Sequence, residues 1–228
     1  MSTFFGAHLD RCVRQAWAVN DDAIRRQRET DLITYYDNEV AARTDRQLPQ
    51  WRIDQRSQFV KALLAEQRKS ILEIGSGPGR DAQALAEAGL DYHGVDLAPA
   101  SVAACREQGF DVQVASVLDL PFEANTFDAG WTMSTLLHIS DADLPAALAE
   151  IGRVLKPGAP LAIGLWGHPD GQEGAGGDDD YGPARFFSLR TDEQLHAQLR
   201  RLGSLEQTAH HDIGTPFHYQ WSVVRLSA

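Results

Sequence analysis

The residues best able to do chemistry stand in one run, Glu73-Ile74-Gly75-Ser76-Gly77-Pro78-Gly79-Arg80-Asp81. An apolar strand signal, Ile71–Ile74, leads into alternating glycines, and a helical pattern follows. Glycine lets backbone approach a ligand closely. The N–H groups that open the following helix favour anionic ligand groups. The fingerprint of a dinucleotide-binding turn is not met. Arg80 stands where its last glycine belongs, and Pro78 removes an amide that a pyrophosphate would use. Asp96 follows Gly79 by 17 residues, at the end of the next strand signal, where a carboxylate can accept both hydroxyls of a ribose.

Elements around this run must hold it. Tyr92–Val95, Val112–Val114, Phe127–Met133 and Leu161–Trp166 read as further strands. Asp81–Ala88, Ala100–Gln108 and Leu144–Leu155 read as helices, closed by Gly89, Gly109 and Lys156-Pro157-Gly158. Strands alternating with helices predict βαβ units, an α/β fold with a parallel sheet and helices on both faces. Thr191-Asp192-Glu193-Gln194 is a capping box that opens a helix to Leu202. Leu205–Ile213 and His218–Leu226 read as an antiparallel edge pair on their Thr, Val, Tyr and Trp content.

The flanks read differently. Residues 8–30 predict an amphipathic helix on Leu9, Val13, Ala16, Trp17 and Ile24, and Ile53–Gln67 a second on Phe59, Val60, Leu63 and Leu64. Thr34–Gln50, with Tyr35, Tyr36 and the Leu48-Pro49 break, is expected to separate them. Gly167–Ala184 holds six glycines, five acids and no base, and is expected to be a flexible acidic loop. The expected domains are a helical cap or lid over residues 1–69 and a main domain over 70–228.

The chain has 228 residues, 21 Lys+Arg and 32 Asp+Glu, a net charge of −11, and 43% hydrophobic residues, the mix of a globular protein. Residues 1–70 carry 12 basic and 10 acidic side chains, residues 71–228 carry 9 and 22, so the balance breaks from +2 to −13 where the strand pattern begins. Phosphates want Lys and Arg, so no nucleic-acid partner is expected. Cys12 and Cys105 are the only cysteines, which excludes a disulfide framework and any Cys-rich zinc site. No apolar run reaches the ~20 residues that a bilayer helix needs, and no signal segment is visible. No membrane association and a cytoplasmic location are expected, as monomer or homodimer.

Residues 70–166 resemble the class I S-adenosylmethionine-dependent methyltransferases. Four stretches carry the resemblance: ILEIGSGPGRD, GVDLAP, LDLPFEANTFDAG and AEIGRVLKPGAPLAI. It implies a Rossmann-like, doubly wound, seven-stranded and mainly parallel sheet whose last strand is antiparallel. It also implies that Glu73, Gly75, Ser76, Gly77 and Gly79 hold the methionine part of S-adenosylmethionine, with Asp96 on the ribose and Leu97 beside the adenine. The family often has Asp at the end of the third strand, bonded to the adenine amine. Ser116 stands there in this chain, which leaves the Val117 backbone and Leu118 to hold the base. Trp131, on the fourth strand, completes the expected cofactor set.

Methyl transfer from a sulfonium is an in-line displacement, so alignment and exclusion of water come first. A base is needed only for an alcohol, a phenol or a protonated amine. His138, past the fourth strand, and His168, past the fifth, are the candidate catalytic residues, each either a base or a pocket wall. Tyr35, Tyr36, Trp166 and Arg185 are the candidate substrate contacts. Arg56 is either an exposed helix residue or a partner for the cofactor carboxylate. His210 and His211 point to opposite faces of one strand, so with Asp212 and His218 they are expected to hold no metal. No Asn/Asp-Pro-Pro-Tyr/Phe motif follows the fourth strand and no Pro-Cys pair occurs. The expected reaction is therefore methylation of an O or N atom of a small molecule, releasing S-adenosylhomocysteine. Methylation of a peptide or RNA, or a non-catalytic cofactor-binding role, are the alternatives. Asp170, Glu173 and Asp178–Asp180 are either a solubilising loop or a lid that favours a cationic acceptor.

Overall fold

Helix α1 runs unbroken from Thr3 to Thr44 in the computed structural model, which describes residues 3–44, 46–176, 181–212 and 215–227, with side chains from residue 21 onward. It thus continues through Tyr35 and Tyr36, into the Thr34–Gln50 segment that was expected to lie between two helices. No glycine or proline stands between residues 7 and 48 to stop it. Leu32, Tyr35 and Glu39, at helical spacing, are buried against the body. The expected face of Leu9, Val13, Ala16 and Trp17 lies outside the described side chains. Pro49 caps the start of α2 (Gln50–Ala65), whose Phe59, Val60 and Leu63 are buried.

The alternating part follows as β1 (Ser70–Ile74), α3 (Ala82–Glu87), β2 (Asp91–Asp96), α4 (Pro99–Glu107), β3 (Val112–Val114) and β4 (Ala129–Met133). After a 3-10 turn at Leu136–His138 come α5 (Leu144–Val154) and β5 (Pro160–Gly167). The chain ends with β6 (Gln172–Gly176), β7 (Arg185–Leu189), α6 (Asp192–Leu199), β8 (Gly203–Asp212) and β9 (His218–Leu226). Seven strands form one sheet in the order β3-β2-β1-β4-β5-β9-β8. The strands from β3 to β5 are parallel, and β9 runs antiparallel to both β5 and β8. The strand order reverses between β1 and β4, which opens a crevice at their carboxyl ends.

Alternating side chains feed two apolar layers. Leu72 and Ile74 face a layer with Leu144, Leu148 and Ile151 of α5, while Ile71 faces Phe59, Leu63, Leu85 and Val102 of α2, α3 and α4. The acidic segment is only partly a loop. Gln172–Gly176 pairs antiparallel with Arg185–Leu189 as a separate two-stranded ribbon, because Phe186 and Phe187 supply a strong strand former opposite a small-residue partner. Asp178–Asp180 lie outside the described residues. Thr191 and Gln194 form the expected capping box on α6. No helix among the described residues is long and apolar enough to cross a membrane.

Candidate active site

The crevice is a cavity at the carboxyl ends of β1 to β4, roofed by α1 through Leu32, Tyr36 and Arg43. Its floor is the turn after β1. Gly75 has φ +78°, and a Cβ there would collide with Thr135, so only glycine lets this turn pass under the loop after β4. Gly77 has φ +54° and nothing within 4 Å of where a Cβ would stand, so its face of the turn opens as a cradle. Asp96 fixes the cradle: its Oδ2 accepts the Gly77 N–H at 2.7 Å and its Oδ1 the Ala98 N–H at 2.9 Å. Burial raises the Asp96 carboxyl, and those two N–H groups oppose the rise.

Three arginines, Arg43, Arg52 and Arg80, line the cavity together with Asp81 and Glu73. Arg52 donates to Asp81 Oδ2 at 2.8 Å, Arg56 to Oδ1 at 2.7 Å, and the Trp131 indole to Oδ2 at 3.2 Å, so buried Asp81 ties α2 to the turn. No carboxylate among the described residues is in ion-pair contact with Arg80, although the Asp81 charge attracts it. Burial, then Arg43 and Arg52 beside it, lower its guanidinium to about 10. Glu73 lies beneath, accepting the Tyr92 hydroxyl at 2.6 Å. Burial, then the Asp81 charge, hold its carboxyl well above the usual range. Leu97, Ala115, Val117 and Ile139 add hydrocarbon to the lining, with Ser116 among them.

Beside the loop after β4, His138 and Tyr36 meet. The Nδ1 of His138 lies 2.8 Å from the Phe186 carbonyl, which can only accept, so Nδ1 carries the proton. Nε2 is therefore the acceptor, and it takes the Tyr36 hydroxyl proton at 2.6 Å. Burial pushes His138 down to about 4 and Tyr36 upward, so both are neutral at pH 7. Ser134, at φ +57°, turns the chain at the end of β4 beside them.

The cavity thus gathers Glu73, Gly75, Ser76, Gly77, Asp96, Leu97, Ser116, Val117, Tyr36 and His138 of the residues singled out in the sequence. Others lie elsewhere. Gly79 packs its backbone against Cys105 of α4. Leu118 turns into the apolar layer, its N–H donating to Ser116 Oγ at 3.3 Å. Trp131 points to the opposite layer, against Phe59 and Trp221. Tyr35 is buried behind Tyr36, with the Arg185 guanidinium 3.8 Å from its ring, and Arg185 reaches no closer than 3.5 Å to the Tyr36 hydroxyl. Trp166 lines a separate depression with Leu137, Phe187, Leu189 and Phe217. His168 is buried beyond the end of β5, where Nδ1 accepts the Asp170 N–H at 3.2 Å and the Phe217 ring packs on it. Arg56 is engaged with Asp81 and the Arg80 carbonyl. His211 stacks on Trp51 at 4.3 Å, and His218 pairs with Asp192 at 3.1 Å. Among the described residues no group of three or more His, Cys, Asp or Glu is placed to hold a metal ion.

Sequence reading missed Arg43, Arg52, Ser134, Thr135 and Leu32, and it took Arg80 with Asp81 as the start of a helix rather than a cofactor contact. The +2 balance of residues 1–70 inside an acidic chain was the available sign that cations from the first two helices collect at one place.

Residues 71–158 match the family model described as a methyltransferase domain. A probable tocopherol O-methyltransferase of rice (Oryza sativa subsp. japonica) is 31% identical over 147 residues, 59% of this chain and 40% of the relative. A ubiquinone biosynthesis O-methyltransferase of Xanthomonas oryzae pv. oryzae is 34% identical over 115 residues, 47% of each chain. The chain therefore spans less than half the length of these curated relatives. Among solved structures, the 1,6-didemethyltoxoflavin-N1-methyltransferase of Burkholderia thailandensis superposes with a TM-score of 0.69 at 22% identity, over 88% of this chain and 87% of that one. The same fold is thus present.

Proposed function

We propose that this chain, which belongs to the class I S-adenosylmethionine-dependent methyltransferases, transfers a methyl group from S-adenosylmethionine to an oxygen or nitrogen of a small molecule. The observation that carries the proposal is the make-up of the cavity: arginines, the Asp96 carboxylate beside an open glycine turn, and hydrocarbon from Leu97, Val117 and Ile139 line one space, with Glu73 and Asp81 among them. Such a lining suits an amino-acid carboxylate, a ribose and a purine. The residues present fit the cofactor on two counts. Arg80 is a desolvated cation with no carboxylate in ion-pair contact among the described residues, and the Gly77 cradle is clear of side chains.

Arg80 would hold the carboxylate, with Arg52 beside it on Asp81, Asp96 would accept from the ribose hydroxyls, and Leu97, Val117 and Ile139 would pack on the base. When bound, S-adenosylmethionine supplies a methyl group already activated on a positive sulfur. The chain's remaining task is to align the acceptor and keep water out. Helix α1 does the second by covering the crevice, so α1 and α2 act as a lid on the body formed by residues 70–228.

His138 and Tyr36 face the acceptor side. A base near pH 4 is too weak to ionise a phenol in advance. Once the new bond forms to an oxygen acceptor, however, the resulting oxonium's proton is strongly acidic, and a neutral imidazole suffices. Tyr36 gives its proton to His138 Nε2 as its own oxygen takes the acceptor's. The relatives named for quinone and tocopherol substrates support a small, largely apolar acceptor. Labelled S-adenosylmethionine incubated with the protein and a metabolite extract tests the reading. Label is expected in a small molecule that disappears with Asp96→Ala. Tight cofactor binding with no transfer to any acceptor would refute it.

A further inference from the structure

We propose that the depression between the α1–α2 connection and the Pro78-Gly79 arm of the glycine turn is a second anion site, built for a small phosphate-type oxyanion and sharing Arg80 with the cofactor cavity. Arg46, Arg56 and Arg80 line it with four glutamines, and no carboxylate is among the described residues that do. In a chain of net charge −11, such a lining concentrates positive potential at one place. The acids that serve two of these arginines stand outside the lining. Asp81 Oδ1 accepts from Arg56 Nη1 at 2.7 Å, and Glu39 Oε1 accepts from Arg46 Nη2 at 3.1 Å. A guanidinium carries five N–H donors, so Arg46 and Arg56 each keep others for a ligand. Gln108 Nε2 donates to the Pro78 carbonyl at 2.9 Å, which fixes the turn as one wall.

Arg80 makes this more than a basic groove. It lines both the depression and the cofactor cavity. Burial first, then the charges of Arg43, Arg52 and Arg46, work against its own charge, and Asp81 offsets only part of that. An oxyanion against Arg46 and Arg80 relieves the crowding with charge-assisted hydrogen bonds. The cofactor's carboxylate, on the reading above, draws on the same guanidinium from the other cavity. Two anions then divide one set of donors, so each weakens the other by the same factor. This coupling rests on the cofactor assignment; the anion site itself does not.

The test uses the full-length protein with inorganic phosphate, and with chloride at equal ionic strength as control. Without other ligands, phosphate should raise the melting temperature of wild type above the control. Arg46→Gln should remove that rise; Arg46 is exposed and lines no part of the cofactor cavity. Saturating phosphate should weaken S-adenosylhomocysteine about tenfold in wild type, the value of one hydrogen bond to a charged group. Arg46→Gln should show the chloride response only, with wild-type affinity when phosphate is absent. Gln47→Glu, which adds a carboxylate to the lining, should block phosphate in the same way. Action by a phosphate monoester such as glycerol 3-phosphate, but not by phosphate, would name the phosphoryl end of a metabolite as the ligand rather than the free ion. No effect of either probe beyond chloride would overturn the proposal. So would a phosphate effect that survives Arg46→Gln, which would put the ion inside the cofactor cavity. Stabilisation through Arg46 with S-adenosylhomocysteine affinity unchanged would overturn the sharing of Arg80. Failure of wild type to bind S-adenosylhomocysteine at all would instead remove the cofactor assignment and leave the melting test of the anion site intact.

Discussion

Asp96→Asn separates the two jobs assigned to one side chain. The carboxylate takes a backbone N–H on each oxygen, from Gly77 at 2.7 Å and Ala98 at 2.9 Å. Asparagine has the same shape but one oxygen. Whichever way its amide turns, an NH2 faces one of those N–H groups, so one charge-assisted bond becomes a donor–donor contact. Removing a hydrogen bond to a charged group costs about 1.5–3 kcal/mol. In a chain of this size, roughly 2–4 °C of melting temperature per kcal/mol makes the loss about 3–12 °C. The ribose hydroxyls lose the charged acceptor as well, a further ~1.5–3 kcal/mol, which is about 10- to 100-fold in affinity. Titration calorimetry with S-adenosylhomocysteine and thermal unfolding of the free protein measure the two separately. If the variant melts earlier yet binds within twofold of wild type, Asp96 only staples the turn and the ribose assignment fails.

The two glycines of the turn should part company. Gly77→Ala is expected to cost only about 1–2 kcal/mol for its positive φ while weakening S-adenosylhomocysteine at least tenfold, since the new methyl fills the cradle. Gly75→Ala should destabilise more, because its methyl meets Thr135. Denaturant midpoints and calorimetry on the pair check this, and equal behaviour would refute the cradle. Arg80→Gln should weaken S-adenosylhomocysteine about tenfold with little loss of stability, as it removes a cation crowded by Arg43 and Arg52. Undiminished affinity would place the carboxylate elsewhere. His138, lowered from 6.5 to about 4 by burial, refuses a proton that the unfolded chain accepts. Its share of stability is whole above pH 6.5 and falls by about 3 kcal/mol as pH drops to 4. Denaturation of wild type and His138→Asn across that window should show this slope only in wild type.

The sequence made legible what is local. The glycine turn, Asp96 at the end of β2 and the capping box at Thr191 depend on neighbours a few residues away, and each stands where its pattern predicts. The parallel order of strands followed from strand–helix alternation for the same reason. Trp131 and Leu118 show the limit. Each sits at the right end of the right strand or turn, but period-two alternation alone does not say which layer claims a side chain near a strand end. Asp81 draws the Trp131 indole away from the cavity, and the hydrocarbon layer above α5 takes Leu118.

What was illegible came from α1. Its continuity past residue 30 was hidden because polar residues and paired tyrosines, read without partners, resemble a break. In the fold they are the docking face. Asp37 caps a helix that lacks its own cap, Tyr36 meets a histidine 102 residues away, and Glu29 meets Ser116. Each contact completes something the body leaves unfinished: an open helix end, an imidazole acceptor, a hydroxyl past a strand end. The order of these debts is informative. These contacts flank the cavity, so its surface is exposed whenever that helix lifts. The ligand then gains affinity by holding the helix down, so retention of the cofactor and closure over the acceptor become one equilibrium. Removing α1's contacts singly should therefore speed S-adenosylhomocysteine release more than it slows its capture. Stopped-flow rates for Asp37→Ala measure this, and a change confined to the capture rate would show that the helix guides entry rather than closing the site.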